Sequence, residues 1–258
     1  MLVLLAVIVL AVGSGRAGLL FVVAVSPSAF LLWYFYNADK YKRESIRLLG
    51  GTFLLGGLFS IVAAMVESAY SEPSSSAGIF AVFVYFLFGI GLVEEFTKFL
   101  SVRIFAYRSS YFDEPMDGIV FGVAAGLGFA TFENLFYVFQ NGVGIGILRA
   151  MVSVPGHAFW GAIIGFYLGE AKVRDRPWLA LYGLGIAMLL HGLFDTVATI
   201  LPNVVGLISM LAIVWIVYFK VVKKEIAEAE KESPYRPTEG ASLRCAHTRL
   251  CNDRNLMA

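Results

Sequence analysis

The sequence has 258 residues, of which 59% are hydrophobic and 15% are charged, and its formal net charge is +1. A soluble domain has about 45–50% apolar residues, so this composition argues against a soluble catalytic domain. The near-neutral balance lacks the basic excess that is typical of nucleic-acid-binding proteins. Because the apolar residues form long blocks, the sequence predicts an all-α, polytopic transmembrane helix bundle.

The apolar blocks, taken in chain order, give eight candidate membrane-spanning helices. A helix needs about 20 apolar residues to cross a bilayer. The first block is shorter, and at ~1.5 Å per residue it would cover only about 16 Å. We therefore predict 7–8 spans within one transmembrane domain that covers residues 1–220. The candidate spans are residues 2–12, 18–36, 48–70, 78–105, 116–139, 144–168, 178–201 and 204–219.

Residues 221–258 are polar, and we expect them to form a disordered cytoplasmic tail. The tail contains both cysteines, Cys245 and Cys251, together with His247. These three side chains could bind a metal, but reduced thiols in a disordered tail are the simpler interpretation. Neither cysteine is the fourth residue from the end of this sequence, so we do not expect the tail to be a prenylation signal.

Basic residues occur in alternate loops, and this asymmetry predicts the orientation of the bundle. The loops at residues 71–77, 140–143 and 202–203 contain no Lys or Arg. By the positive-inside rule, the other loops and the C-terminus are expected to be cytoplasmic. The basic residues are Lys40, Lys42, Arg43 and Arg47, then Arg103 and Arg108, then Lys172, Arg174 and Arg176, and finally Lys220, Lys223 and Lys224.

Glycine recurs at every fourth position in two of the predicted spans. One series is in the fifth span and the other is in the sixth. Glycines at this spacing form a flat stripe on one helix face, which lets two helices approach closely in lipid. We therefore expect close packing of these helices. The two series are Gly118, Gly122 and Gly126, and Gly161, Gly165 and Gly169.

Ionisable residues interrupt four successive spans, although a charge at the centre of a membrane helix costs roughly 2.5–3.5 kcal/mol. A convergent set of this kind indicates a hydrolytic site that activates water, or an ion pathway. Pro155 and Gly156 would also free backbone groups, which is tolerated where a helix lines a cavity. The set comprises Glu94, Glu95 and Lys98, then Glu133, then His157, and then His191 and Asp195.

Simpler interpretations exist for each of these residues. Lys98 lies past the middle of its span and could extend to the cytoplasmic surface. Glu133 could be a structural hydrogen-bonding residue, and His157 could simply pack between the glycine-striped helices. His191 and Asp195, four residues apart, could form a local pair. Glu67, near the outer end of its span, is interpreted as interfacial.

Three motifs carry a family resemblance: Glu-Glu-x-x-Lys from Glu94 to Lys98, Phe-x-x-x-Glu from Phe129 to Glu133, and His-x-x-x-Asp from His191 to Asp195. With these motifs the chain resembles the PrsW family of intramembrane proteases, which is distantly related to the CAAX prenyl protease family. The resemblance covers roughly residues 30–199. It includes the stretches DEPMDGIVFGVAAGLGFATFENLFYV, SVPGHAFWGAIIGFYLGEA and WYFYNADKYKRE. After the last stretch, the family's usual proline is replaced by Ser45.

The resemblance implies hydrolysis of peptide bonds in membrane-anchored protein substrates, in the plasma membrane of a prokaryotic cell. In some bacterial members these substrates are single-span regulators of stress transcription. It implies that Glu94 is the general base that activates water. Glu95 would orient the site or bind a metal, and Lys98 would partly balance the charge of the two glutamates.

The resemblance also implies roles for the polar residues of the other three spans. His191 would donate to the oxyanion or bind a metal, and Asp195 would set its orientation and tautomer. Glu133 and His157 would complete the cavity as water holders, proton carriers or metal ligands.

Two questions stay open from the sequence. The first is whether the site works without a metal, or with a zinc ion held by Glu95, Glu133, His157 and His191. The second is whether the chain is a protease or a non-proteolytic membrane protein, such as an ion-coupled transporter or an inactive scaffold.

Overall fold

The computed structural model describes residues 15–73, 77–201 and 203–237, and its regular elements over these residues are all helical. The predicted all-α class is thus confirmed. The helices are α1 Arg16–Ala38, α2 Ile46–Glu67, α3 Ile79–Tyr85, α4 Leu92–Phe105, α5 Pro115–Asn141, α6 Val143–Met151, α7 Ser153–Val173, α8 Trp178–Ile200, α9 Asn203–Val217 and α10 Lys223–Glu232.

Seven helical segments in the described part of the chain are long and apolar enough to cross a membrane. They correspond to seven of the eight predicted spans. The first candidate, residues 2–12, lies outside the described residues, as does the tail segment with Cys245, His247 and Cys251. The chain therefore forms an integral membrane bundle.

Two spans contain a π-helical turn. Residues Phe86–Gly91 join α3 to α4, and residues Tyr218–Val222 join α9 to α10. Such turns are rare and occur frequently at functional sites. The last helix continues to Glu232, past the domain boundary expected at residue 220.

Helix α5 is the centre of the bundle. Its residues are buried without interruption from Pro115 to Thr131, so it is enclosed on all sides there. It packs mainly against α7 and α2, and also against α1 and α4. This central helix carries Glu133 toward one membrane face and begins with Pro115 at the other, so it connects the two ends of the molecule.

The glycine stripes lie at the α5–α7 contact, and the predicted close packing of these two helices is confirmed. A methyl group added to Gly118 would collide with the carbonyl oxygen of Gly165, and one added to Gly122 would collide with that of Gly161. Backbone thus meets backbone directly along this contact.

The sixth predicted span is broken, but not at the expected residue. Helix α6 ends at Met151, Val152 leaves the helical conformation with φ −124° and ψ −68°, and α7 begins at Ser153. Pro155 falls in the first turn of α7, where a missing backbone N–H is tolerated. The interruption therefore precedes the proline and turns the chain beside the polar residues described next.

Candidate active site

The ammonium group of Lys98 lies at the centre of a buried polar cluster. It donates hydrogen bonds to Glu95 Oε1 at 2.7 Å and to Glu94 Oε2 at 3.1 Å, and it lies 2.8 Å from His157 Nδ1. An ammonium has three hydrogens and no acceptor, so it must donate to His157 as well. All three of its hydrogens are therefore used.

This burial argues against the alternative in which Lys98 extends to the cytoplasmic surface. Its side chain is only 1% exposed, and it lies 4.4 Å from the ring centre of Phe129. The lysine turns inward because two adjacent glutamates on the same helix need a positive partner away from water. It therefore belongs to the site and not to the interface.

The tautomer of His157 follows from its two partners. Since Nδ1 accepts from Lys98, the neutral ring carries its hydrogen on Nε2, which lies 3.0 Å from Glu133 Oε2. Both ring nitrogens are engaged, and the ring stacks on Phe129 with centres 5.6 Å apart. His157 thus links the lysine cluster on α4 to the glutamate on α5.

His191 is held differently, by Glu95 and not primarily by Asp195 as expected. Its Nδ1 lies 2.6 Å from Glu95 Oε1, and an ionised carboxylate can only accept, so Nδ1 carries the hydrogen. Its Nε2 then has a free lone pair, 3.4 Å from Asp195 Oδ2 and 3.8 Å from Glu94 Oε2. A carboxylate behind a histidine fixes the orientation of the ring.

Backbone packing explains why α4 and α8 bring these groups together. A methyl group on Gly192 would come within 2.8 Å of the Leu87 backbone, inside the π-helical turn. A methyl group on Gly91, at the end of that turn, would lie 3.0 Å from the carbonyl oxygen of Met188. These contacts place His191 beside Glu95 at the first turn of α4.

Arg149 on α6 is a member of the cluster that the sequence analysis missed. Its Nη2 lies 2.9 Å from Glu133 Oε2, and its Nε donates to Asn134 Oδ1 at 3.1 Å. Asn134 in turn donates to the carbonyl oxygen of Ala24 on α1 at 2.8 Å. The signal was available, because Arg149 is a charge within a predicted span.

A cavity of about 350 Å³ opens beside these residues. It is large enough to hold water molecules beside the polar side chains. Glu67, expected to be an interfacial residue, is also part of its wall. The acidic and basic residues and the histidines that line it are Glu67, Glu94, Glu133, Arg149, His157, His191 and Asp195.

The cavity lies toward one face of the membrane. Glu67 is the last residue of α2, and Glu133 and Asp195 precede the ends of α5 and α8 by about two turns or less. Helices α2, α5 and α8 run in the same direction across the bundle, so these three residues lie toward the face reached by the loops without Lys or Arg. Water on that face has a short path to the cavity.

The arrangement brings all seven polar residues expected from the spans into one place. Glu94, Glu95, Lys98, His157 and His191 are almost completely buried, whereas the side chains of Glu133 and Asp195 are 23% and 21% exposed at the cavity. Carboxylates, imidazoles and a water-sized space within a dry bundle are what hydrolysis inside a membrane requires. Their individual roles stay predictions.

Comparison with known proteins agrees with this chemistry. Residues 44–222 match the family described as "PrsW family intramembrane metalloprotease". Among curated relatives, Protease PrsW of Bacillus subtilis is 37% identical over 183 residues, which are 69% of this chain and 82% of the relative.

Two other proteins of that name give similar figures. The Halalkalibacterium halodurans protein is 35% identical over 67% of this chain and 80% of its own length. The Clostridioides difficile protein is 30% identical over 82% of this chain and 93% of its own length. No solved structure matches the chain significantly. The match over most of the membrane bundle, with the buried carboxylate and imidazole cluster inside it, shows that this chain belongs to the PrsW family and is an intramembrane protease.

Proposed function

We propose that the chain hydrolyses a peptide bond of a membrane-anchored protein with a water molecule that Glu94 activates. The observation that carries this proposal is the position of Glu94 Oε2. It lines the cavity and lies 3.7 Å from His157 Nδ1 and 3.8 Å from His191 Nε2. A carboxylate within hydrogen-bonding reach of water can act as a general base, which typically contributes about 10²–10⁴-fold to the rate.

His191 is the group that stabilises charge in this proposal. Once Nε2 holds a proton, it can donate to the oxyanion that forms when water attacks the carbonyl group. Glu95 behind Nδ1 and Asp195 beside Nε2 would stabilise the resulting imidazolium. Glu95 is therefore the positioning residue, and Asp195 supports the same ring from the cavity side.

A second group of residues in the cavity wall comprises Glu133, His157 and Arg149. The Nε2–H of His157 faces Glu133, and Arg149 holds the same carboxylate oxygen from α6. A side chain held from two sides presents a fixed acceptor to water in the cavity, which lowers the cost of organising that water. This wall would hold the water and the substrate backbone in place.

The family's description as metalloproteases raises the question of whether the residues fit zinc. One donor atom each from Glu94, Glu95 and His157 lie within 4.8 Å of one another, but the Lys98 ammonium already bonds all three. The His191 side is different. Its free Nε2 lies 3.4 Å from Asp195 Oδ2, close to the spacing of about 3.3–3.4 Å between ligands of a tetrahedral zinc.

The residues around His191 therefore fit a zinc ion. His191 and Asp195 would hold it as two of its ligands. Glu133 lines the same cavity, but in the described part of the chain these three residues are not among the sets whose donor atoms converge within 4.8 Å. When bound, zinc would supply Lewis acid chemistry to the water and the scissile carbonyl.

Elemental analysis of purified, active protein decides whether zinc is bound. Near-stoichiometric zinc, with activity lost to a chelator and restored by zinc, would make it a resident cofactor.

The substrate is a membrane-anchored protein whose chain can enter the bundle from the lipid. The cavity walls combine the polar residues with apolar ones such as Phe86, Trp160 and Phe194. Because the cavity lies toward the face of the loops without Lys or Arg, cleavage is expected near that end of the substrate's membrane anchor.

The orientation we propose places this face outside the plasma membrane of a prokaryotic cell and the C-terminus in the cytoplasm. Single cysteines at Gln140 and Arg174 test it, in a background with Cys245 and Cys251 replaced by serine. Both positions are exposed. An impermeant thiol reagent added to intact cells should label the cysteine at Gln140 and not the one at Arg174, and the opposite pattern would reverse the assignment.

Cleavage by the purified protein is the test of the function itself. A single-span peptide with labelled ends, reconstituted with the enzyme in liposomes, should give two products. Their masses should place the cut near the expected end of the anchor. Intact peptide after prolonged incubation with folded enzyme, over a panel of anchor sequences, would favour a non-proteolytic transporter or scaffold.

A further inference from the structure

A second buried cluster lies at the other end of α5, in the segments that connect the membrane helices. Asp39 follows α1, Glu44 precedes α2, and Asp117 lies in the first turn of α5. All three are at most 3% exposed. Asp117 and Glu133 are separated by about 24 Å along α5, at ~1.5 Å per residue. This cluster is therefore separate from the candidate active site.

Lys42 is the positive group in this cluster, and all its hydrogens are already used. Its ammonium donates to the Tyr111 carbonyl at 2.8 Å, to Asp113 Oδ1 at 2.7 Å and to Asp117 Oδ2 at 2.9 Å. Since an ammonium has three hydrogens, none is left for Glu44. The nearest oxygen of Glu44 lies 3.9 Å away, too far for a hydrogen bond.

The carboxylates of the cluster are only half satisfied. Asp39 Oδ1 accepts from the backbone N–H groups of Tyr41 and Lys42, and Asp117 Oδ2 accepts from those of Asp113 and Glu114. These bonds fix the two side chains.

The other oxygen of each aspartate has no hydrogen-bond partner among the described residues, and the same is true of both oxygens of Glu44. A buried carboxylate oxygen without a partner is costly. Glu44 is the strongest case, since its side chain is fully shielded from solvent.

One oxygen from each of Asp39, Glu44 and Asp117 lies within 4.8 Å of the others. The one ammonium beside these three carboxylates is shared with Asp113, so at least two negative charges stay uncompensated on side chains that are almost completely buried. Lys172 does not compensate this charge either, because its ammonium donates to the carbonyl oxygens of Tyr107 and Ser109. The arrangement thus lacks positive charge at the point where its free oxygens converge.

We propose that Asp39, Glu44 and Asp117 bind a hard divalent cation, Mg²⁺ or Ca²⁺, which joins the loop between α1 and α2 to the start of α5. The donors are all carboxylate oxygens, with no sulfur or imidazole, which is the ligand type that Mg²⁺ and Ca²⁺ prefer. The double positive charge matches the charge that Lys42 leaves uncompensated.

The alternative is a proton shared between Glu44 and Asp117, and thermal unfolding separates the two. Chelator-treated, purified protein is titrated with MgCl₂ or CaCl₂ at constant ionic strength. The midpoint should rise by about 5–10 °C at a hundredfold excess over Kd. Glu44→Gln and Asp39→Asn should abolish this rise. Asp113→Asn should retain it, because that carboxylate is 43% exposed and is not one of the three converging groups.

Two outcomes would overturn the proposal. One is a wild-type midpoint that does not respond to either cation, together with a Glu44→Gln variant at least as stable as wild type, which is the signature of a shared proton. The other is an equal rise in wild type and Glu44→Gln, which would place the cation elsewhere. Mn²⁺ binding to the wild-type protein, counted by electron paramagnetic resonance, keeps the test valid if a variant does not fold. We expect one bound Mn²⁺ per chain that Ca²⁺ or Mg²⁺ displaces. The absence of bound Mn²⁺ would contradict the proposal.

Discussion

The two ends of α5 carry clusters built around a lysine, and their difference shows what makes one of them suitable for catalysis. Lys98 and Lys42 each use all three ammonium hydrogens. Lys98 bonds two carboxylates and an imidazole beside a cavity. Lys42 bonds two carboxylates and a backbone carbonyl, in a cluster whose possible metal ligands are all oxygen atoms. The imidazoles and the adjoining cavity, and not the lysine, distinguish the candidate active site.

The clusters also differ in their access to water. Lys98 and both its glutamates are almost completely shielded. The Lys42 side chain is 15% exposed, and its partner Asp113 is 43% exposed. In the Lys98 cluster, a charge that loses its partner therefore has no water to replace it. In the Lys42 cluster, water can replace a lost partner in part.

Replacing each lysine by methionine tests this contrast most strongly. Lys98→Met leaves Glu94 and Glu95 buried without a cation, which typically costs about 3–5 kcal/mol. We expect severe loss of folded protein and of cleavage, and not the mild effect that an interfacial lysine would give. Lys42→Met should cost clearly less. Unfolding in detergent measures both, and equal stabilities of the two variants would remove the distinction.

Arg149 tests whether the outer wall of the cavity contributes to the reaction. Arg149→Met frees Glu133 from one of its two contacts, and loss of such a supporting partner typically costs about 10–100-fold in activity. Arg149→Lys should recover part of it, because the positive charge is kept.

Arg103→Met is the matched control for Arg149. Both arginines lie over a tyrosine ring, at 4.3 Å for Arg103 and 4.2 Å for Arg149. Cleavage rates at saturating substrate are compared for the three variants. A loss in Arg103→Met as large as that in Arg149→Met would assign the effect to ring stacking and not to Glu133.

The glycine contact between α5 and α7 joins the two clusters. Gly122→Ala would force the helices apart, because the added methyl group meets the Gly161 carbonyl, and overpacking of this kind costs about 1–3 kcal/mol. Gly185→Ala on α8 is the control, since nothing lies within 4 Å of an added methyl group there. Since Ala favours the helix more than Gly does, Gly185→Ala should not lower the thermal midpoint. A Gly122→Ala midpoint at or above that of wild type would contradict the role of the contact.

The smallest effect is expected at the exposed pair of Lys40 and Glu230. The two side chains lie 2.8 Å apart, but Lys40 is 62% exposed. Exposed ion pairs contribute about 0.2–1 kcal/mol, so Lys40→Met should leave both unfolding and cleavage close to wild type. A larger loss of stability would mean that contact between α10 and the α1–α2 loop matters more than its exposure suggests.

The spans and the glycine contact could be predicted because length, apolarity and spacing encode them directly. The polar residues of the spans could be found by the same reasoning, since a charge in lipid has few explanations. Arg149 could have been found in the same way, because it is also a charge within a predicted span. The inward direction of Lys98 could not be predicted, because it depends on His157 and Glu95 meeting it in three dimensions.

Partner choice between helices was also beyond the sequence. The spacing of His191 and Asp195 indicated a pair on one helix. The structure instead gives Nδ1 of His191 to Glu95, which is distant in the chain. The Asp39, Glu44 and Asp117 cluster was missed for the same reason. Its members come from loops and helix ends, where no periodicity connects them.

The most direct test of the central claim, that Glu94 activates water in the cluster around Lys98, is the cleavage rate of Glu94→Gln. It is measured against Glu72→Gln, a matched change at an exposed residue. Both purified proteins are checked for the wild-type unfolding midpoint and given the same single-span peptide. We predict that Glu94→Gln is slower than wild type by about 10²–10⁴-fold, and that Glu72→Gln is unaffected. A folded Glu94→Gln protein that cleaves within about twofold of the wild-type rate would contradict the account, since a glutamine amide cannot take the proton of water.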